Sequence, residues 1–260
     1  MFTILICSCK PTSEQLAQQL VDEAQILIED GAWRQAMIVL DSVHTLYPQQ
    51  VAQRRQAKAL SDSISYLEAQ RTISYCDTLL PPLLEKVDKV LKNFTYEKNE
   101  NYEDHGKYVH KLLKTNSNTS RNFIQAYVQD DRETIIKSYY YGNKLVEQQS
   151  LQLQANEEKL TFSGSNYSFE SEGFHEIMTI EGEQALSLLN FISTHHSARI
   201  RVEGIGKKSY NNWVYYLNDN EKNALSDTYQ LGWLMKDIKH IEQMQQTANK
   251  QILYYQQKYR

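Results

Sequence analysis

The sequence is short of the residues that build covalent frameworks and tight loops. Only three cysteines occur in 260 residues, and two of them, Cys7 and Cys9, lie in the first ten. Cys76 stands alone, which excludes a disulfide framework and a cysteine-rich metal site. It sits in a helical pattern and reads as a small buried hydrophobe. Nine glycines and four prolines leave few tight turns and favour long regular elements. No stretch approaches the length, about 18 apolar residues, of a membrane-crossing helix. The net charge of −4 supplies no basic field, so nucleic acid is not an expected partner. No nucleophile elbow and no complete phosphate loop is present; no catalytic residue, metal or cofactor is expected.

Tyrosine is what the chain has in excess, with eighteen copies. A phenol ring pairs an apolar body with a polar tip and suits a half-wet sheet or helix face. Two readings follow: a sugar- or peptide-contacting surface, or rings that fill strand positions because they fit a pleated sheet. Tyr139, Tyr141, Trp213 and Tyr215 are the candidate contact residues. They come from the aromatic runs at 139–141 and 213–216, in which alternate members share a face.

At the N-terminus an apolar run ends in Ile6-Cys7-Ser8-Cys9, and the chain turns polar from Lys10. This pattern resembles the end of a bacterial lipoprotein signal peptide. The resemblance implies that residues 1–9 are a signal-peptide remnant and that the sulfur of Cys9 is lipidated. It further implies attachment to a membrane through that lipid, in the periplasm or at the outer membrane. The other reading is an apolar strand or helix start in a cytoplasmic protein.

Residues 13–48 read as a helical hairpin. Leu16, Leu20, Ala24 and Leu27 step at helical spacing, Gly31 interrupts, and Ala36, Leu40, Val43 and Tyr47 resume before Pro48. Gly31-Ala32-Trp33-Arg34-Gln35-Ala36, followed by Leu40, Val43 and Pro48, resembles the turn and second helix of a tetratricopeptide repeat. The resemblance covers one unit, whereas about three are needed to bury such a repeat's face. The implied role is a packing cap on the helices that follow.

Residues 51–96 are expected to be helical, with Ala57, Leu60, Ile64 and Leu67 on one face and Leu84, Val87, Leu91 and Phe94 after a break or sharp kink at Pro81-Pro82. Near the C-terminus Leu231, Leu234, Ile238, Ile241, Gln245, Ala248, Ile252, Tyr255 and Tyr259 form a seam of about four heptads. Asn218-Asp219 caps that helix. Between the helices the spacing predicts strands at 123–129 and 133–141 around Asp130-Asp131-Arg132, then at 151–154, 159–163, 167–171 and 174–180. A helix at 183–195, a strand around Ile200 and Val202, and a last strand at 213–217 complete the pattern.

The expected fold is therefore α+β: a helical hairpin and an antiparallel coiled-coil-like stalk, with an inserted, mainly antiparallel β domain that carries one helix. The expected divisions are a helical region at 10–98, the β-rich domain at 99–218 and the C-terminal helix at 219–260. The terminal seam needs a cover. Residues 51–94 running antiparallel are the nearest, and a second copy of the chain is the alternative, giving a homodimer.

Candidate chemistry is sparse. His195-His196 reads as a solvated helix end, and His105 and His110 lack further ligands. His175 and Glu176 fall on opposite strand faces. Gly204-Ile205-Gly206-Lys207-Lys208 lacks the spacing of a phosphate loop and reads as a turn. The expected function is non-enzymatic: a lipid-anchored envelope protein presenting its β domain to a protein or glycan partner. A sugar- or peptide-binding module with an aromatic sheet face, and an envelope hydrolase using Glu172 or Glu176 with His175, are the alternatives.

Overall fold

The computed structural model describes residues 11–113, 121–208 and 211–259. Its fold is α+β, with long helices and two antiparallel sheets. Two units are distinct. One holds the chain up to Thr78 together with the stretch from Glu242 onward, and the other is Leu79–Ile241.

In the first unit, α1 (Ser13–Glu29) starts at a reciprocal cap. The Gln15 amide donates to Thr12 Oγ1 at 3.2 Å, and the Thr12 amide donates to Gln15 Oε1 at 2.9 Å. Such a cap contributes about 1 kcal/mol. Gly31, at φ +74°, turns the chain into α2 (Trp33–Leu46). Small residues then let the helices approach closely. Ala17, Val21 and Ala24 meet Ala36, Leu40 and Val43, and the cluster extends to Ala57 and Ile64 of the third helix, α3 (Val51–Leu91).

The C-terminal part of α5 (Asp219–Tyr259) runs antiparallel to α3 within this unit. Tyr255 stacks on Tyr66 with centroids 4.5 Å apart, and Gln245 Nε2 donates to Asp77 Oδ1 at 2.8 Å. Lys258 Nζ and the Tyr259 hydroxyl both donate to Asp62 Oδ2 at 2.7 Å, while Lys58 holds Oδ1 at 2.8 Å. Burial alone would raise the Asp62 pKa, but these three donors outweigh it and hold the carboxyl below its usual range.

The second unit begins inside α3. Of the break or sharp kink expected at Pro81-Pro82, the break is corrected, because the helix continues through both prolines to Leu91. Two amide donors are lost, which frees the carbonyls of Asp77 and Thr78. All four residues are exposed, so water can satisfy those oxygens. Leu80, Leu83, Val87 and Val90 keep the helix seated against Leu231, Leu234, Met235 and Ile238 of α5. This part of the seam is thus covered by α3 of the same chain, the nearer of the two covers expected. Phe94 is no longer helical but opens a strand, and its ring joins this cluster.

The strands are β1 (Phe94–Glu97), β2 (Lys107–His110), β3 (Phe123–Gln129), β4 (Thr134–Gly142), β5 (Gln148–Ala155), β6 (Glu158–Ser163), β7 (Ser165–Glu170), β8 (Phe174–Glu181), β9 (Arg201–Gly206) and β10 (Trp213–Tyr216). They form a six-stranded sheet in the order β1-β2-β3-β4-β8-β7 and a four-stranded sheet in the order β10-β9-β5-β6. Helix α4 (Gly182–Thr194) follows β8.

Period-2 alternation decides which side of the large sheet is dry. Ile124 and Ala126 of β3, Ile136 and Tyr140 of β4, and Met178 and Ile180 of β8 point inward. They meet Leu151 and Leu153 of β5, Val202 of β9, and Leu188, Leu189 and Ile192 of α4. Asn218 starts α5 with a second reciprocal cap: Glu221 N donates to Asn218 Oδ1 at 2.9 Å, and Asn218 N to Glu221 Oε2 at 3.0 Å.

Candidate functional site

The opposite side of the six-stranded sheet carries the candidate site. Residues one place out of phase with the core face away from it, and ladder register lines them up in rows. Phe123 is opposite Tyr139, Tyr139 opposite Ile177, and Ile177 opposite Tyr167. In the next row Tyr141 is opposite His175 and His175 opposite Phe169. The rings touch along these rows. Phe123 and Tyr139 stack at 4.3 Å, Phe169 and His175 stack at 4.6 Å, and Tyr141 lies 4.9 Å from His175. Tyr167 lies 5.9 Å from Phe169.

Exposure rises toward the sheet edge. Phe123 is buried and Tyr139 and Tyr141 are half-buried, whereas Phe169 is 39% and Tyr167 65% exposed. All six residues of β7 are exposed, and β7 is an edge strand, paired on one side only among the described residues. An edge strand leaves a row of backbone donors and acceptors unpaired. Rings and open backbone therefore meet at one place. The polar tips on the inner part of the face are engaged: Tyr139 OH donates to Gln125 Oε1 at 3.3 Å, and Tyr141 OH to the Glu172 carbonyl at 3.0 Å. Burial also pushes the Tyr139 phenol up.

The four aromatic residues singled out from sequence are separated. Tyr139 and Tyr141 stand on this face. Trp213 and Tyr215 do not: Trp213 is in the core between the sheets, stacked on Tyr140 at 6.0 Å and on Tyr215 at 5.9 Å. Its indole occupies the space beside Gly204, where an added Cβ would meet Nε1 at 2.0 Å. Trp213 Nε1 has no hydrogen-bond partner among the described residues. Burial raises the Tyr215 phenol well above its ordinary pKa. Both rings serve packing rather than an open surface. Tyr167 and Phe169 were the missing members, and their signal was an aromatic alternation in an otherwise polar six-residue strand. Cys9 lies outside the described residues.

The groups considered for catalysis are dispersed. His175 turns to the aromatic face, where Nε2 donates to the Ser171 carbonyl at 2.9 Å. Glu176 points the other way and is fully buried. Its carboxylate accepts from the amides of Val146 at 2.5 Å, Glu147 at 2.9 Å and Gln148 at 2.7 Å, and from Asn166 Nδ2 at 2.9 Å. Four donors make it a clip between β8 and the entry to β5, with no free lone pair directed at a cleft. Glu172 is exposed in the β7–β8 turn.

His110 makes a buried contact with Asp227 at 3.1 Å, and its Nδ1 accepts from Leu112 N at 3.2 Å. The proton therefore sits on Nε2, and both ring nitrogens are occupied. His196 faces Asn223 Oδ1 at 2.6 Å, and Gly204 and Gly206 lie within β9 rather than in a strand-to-helix loop. Among the described residues, no group of three or more His, Cys, Asp or Glu is placed to hold a metal.

No family model matches the chain, and neither a curated protein nor a solved structure is significantly similar to it.

Proposed function

We propose that the chain is a non-enzymatic binding protein whose contact surface is the aromatic edge of the six-stranded sheet. The partner is a protein that supplies an extended segment, which adds to β7 as a further strand and lays its side chains over Tyr167 and Phe169. The carrying observation is that the most exposed rings of the face stand on the one strand of that edge whose backbone is open. Strand addition draws affinity from main-chain hydrogen bonds and specificity from alternate side chains. Ser-Asn-Tyr-Ser-Phe-Glu contains neither proline nor lysine, the commonest edge guards, and its one charge, Glu170, stands at the end of the strand. The proposal includes a lipid tether at Cys9, which would hold this surface at a membrane in the envelope.

A photo-crosslinking amino acid at position 167, in cells that make the protein, tests the surface; the same group at Tyr102, which is 87% exposed and sits in the β1–β2 connection at the opposite edge of the sheet, is the control. A protein crosslinked from 167 and not from 102 is the expected outcome. Identical products from both positions, or none from 167, would overturn the surface assignment. Mass spectrometry of the membrane-extracted protein tests the tether, with a diacylglyceryl group on Cys9 expected and an unmodified thiol counting against it.

A further inference from the structure

Away from the edge, the same side of the sheet holds a second feature. The connection between β1 and β2, residues 98–106, folds over Tyr127 and Lys137 and is built rather than slack. Asp130 anchors it: Oδ2 accepts from Gly106 N and from Tyr96 OH, each at 2.9 Å, and Oδ1 lies 3.0 Å from His105 Nδ1. Glu103 Oε2 accepts from Asn99 N at 2.8 Å, and the Asn99 carbonyl receives the amides of Tyr102 and Glu103. Between this loop and the sheet lies a polar cavity of about 220 Å³, whose lining includes Glu103, Asp104, His105, Lys107, Tyr127 and Lys137.

Its charged groups are only partly paired by contact. Glu103 is matched by Lys107 at 3.0 Å, and His105 faces Asp130. Lys137 is half-buried and has neither a hydrogen bond nor an ion pair among the described residues. Burial and the nearby Lys107 ammonium lower its pKa, while Glu103 and Glu181 act at longer range to keep it charged. The Tyr127 ring lies between the two lysines, 5.7 Å from Lys107 Nζ and 5.9 Å from Lys137 Nζ. Burial pushes its phenol up to about 12, so the hydroxyl is a protonated donor at neutral pH.

We propose that this cavity binds a small monocarboxylate, whose oxygens accept from the Lys137 ammonium and the Tyr127 hydroxyl. An ammonium taken partly out of water needs an acceptor. Lys137 is the lining ammonium without a hydrogen-bond acceptor, and one carboxylate supplies one. A phosphate dianion would bring a second charge against Glu103 and Asp104 with no cation left to meet it. A metal cation would meet two lysines. The site is separate from the β7 edge and does not depend on the partner proposed there.

The test is a titration of the full chain with acetate, and separately with inorganic phosphate, followed by NMR of 13Cε-labelled lysines. Saturable shifts at Lys137 with acetate are expected, with phosphate at least about tenfold weaker; that factor corresponds to one charge-assisted hydrogen bond left unmade. Lys137→Met is expected to abolish saturation. Tyr127→Phe, which keeps the ring and the fold, is expected to weaken acetate by about tenfold. Non-saturating shifts shared by all lysines, unchanged binding in both variants, or phosphate binding as tightly as acetate would overturn the assignment.

Discussion

Lys258 Nζ donates to Asp62 Oδ2 at 2.7 Å, joining positions 196 residues apart. The C-terminal end of α5 is thereby tied to α3 within one unit, with Tyr259 and Lys58 around the same carboxylate. Because Asp62 has its pKa lowered in the fold, its contribution to stability is present above the ordinary aspartate pKa of about 3.9. It is lost as pH falls through the lowered folded value. Urea titrations from pH 7 down to pH 2 should show Asp62→Asn less stable than the parent at pH 7 by about 1–3 kcal/mol. The difference should shrink below pH 4.

Glu176 closes a different joint. Removing its carboxylate strands three amides and the Asn166 side chain in a buried place. Glu176→Ala should cost on the order of 3–5 kcal/mol, and Glu176→Gln less, since one acceptor oxygen remains. Hydrogen exchange should report the site directly, with the amides of Val146, Glu147 and Gln148 exchanging faster in both variants. Unchanged protection there would mean that other acceptors satisfy those amides.

Gly204 exists for Trp213. A methyl group at 204 would occupy the place of the indole, so Gly204→Ala should destabilise by about 1–3 kcal/mol through overpacking. The near-ultraviolet circular dichroism of the tryptophans should change with it. A neutral substitution would show that the ring can move aside.

The helical part of the fold was legible because its signals are long. The seam from Leu231 to Ile241 repeats often enough to specify its face, and Gln245, its polar member, finds Asp77. The turn Asp130-Asp131-Arg132 between two alternating runs also specified the β3–β4 hairpin. Strands β1 and β2 were not legible, since each has four residues and their burial comes from distant partners. Phe94 packs against α5, and Val109 against Tyr127 and Ile135. The prolines misled because their effect depends on whether the freed carbonyls face water. For the candidate site, period 2 says which rings share a face but not which face is covered. Tyr139 with Tyr141, and Trp213 with Tyr215, carry the same local pattern; only the facing of the two sheets, which covers the latter pair, tells them apart.

That distinction predicts opposite behaviour in two sets of variants. Tyr167→Ala with Phe169→Ala should change unfolding free energy by no more than about 0.5 kcal/mol each, as exposed positions do, yet abolish the crosslink-identified interaction. Trp213→Ala should cost about 3–5 kcal/mol as a core deletion. Equal destabilisation in both sets would place Tyr167 and Phe169 among structural residues.

Hydrogen exchange along β7, with and without the partner recovered by crosslinking, tests strand addition most directly. The account predicts fast exchange at the outward-pointing amides of Ser165–Glu170 in the free chain and protection at alternate residues when the partner is bound. Bound partner with no gain of protection anywhere in β7 would contradict it.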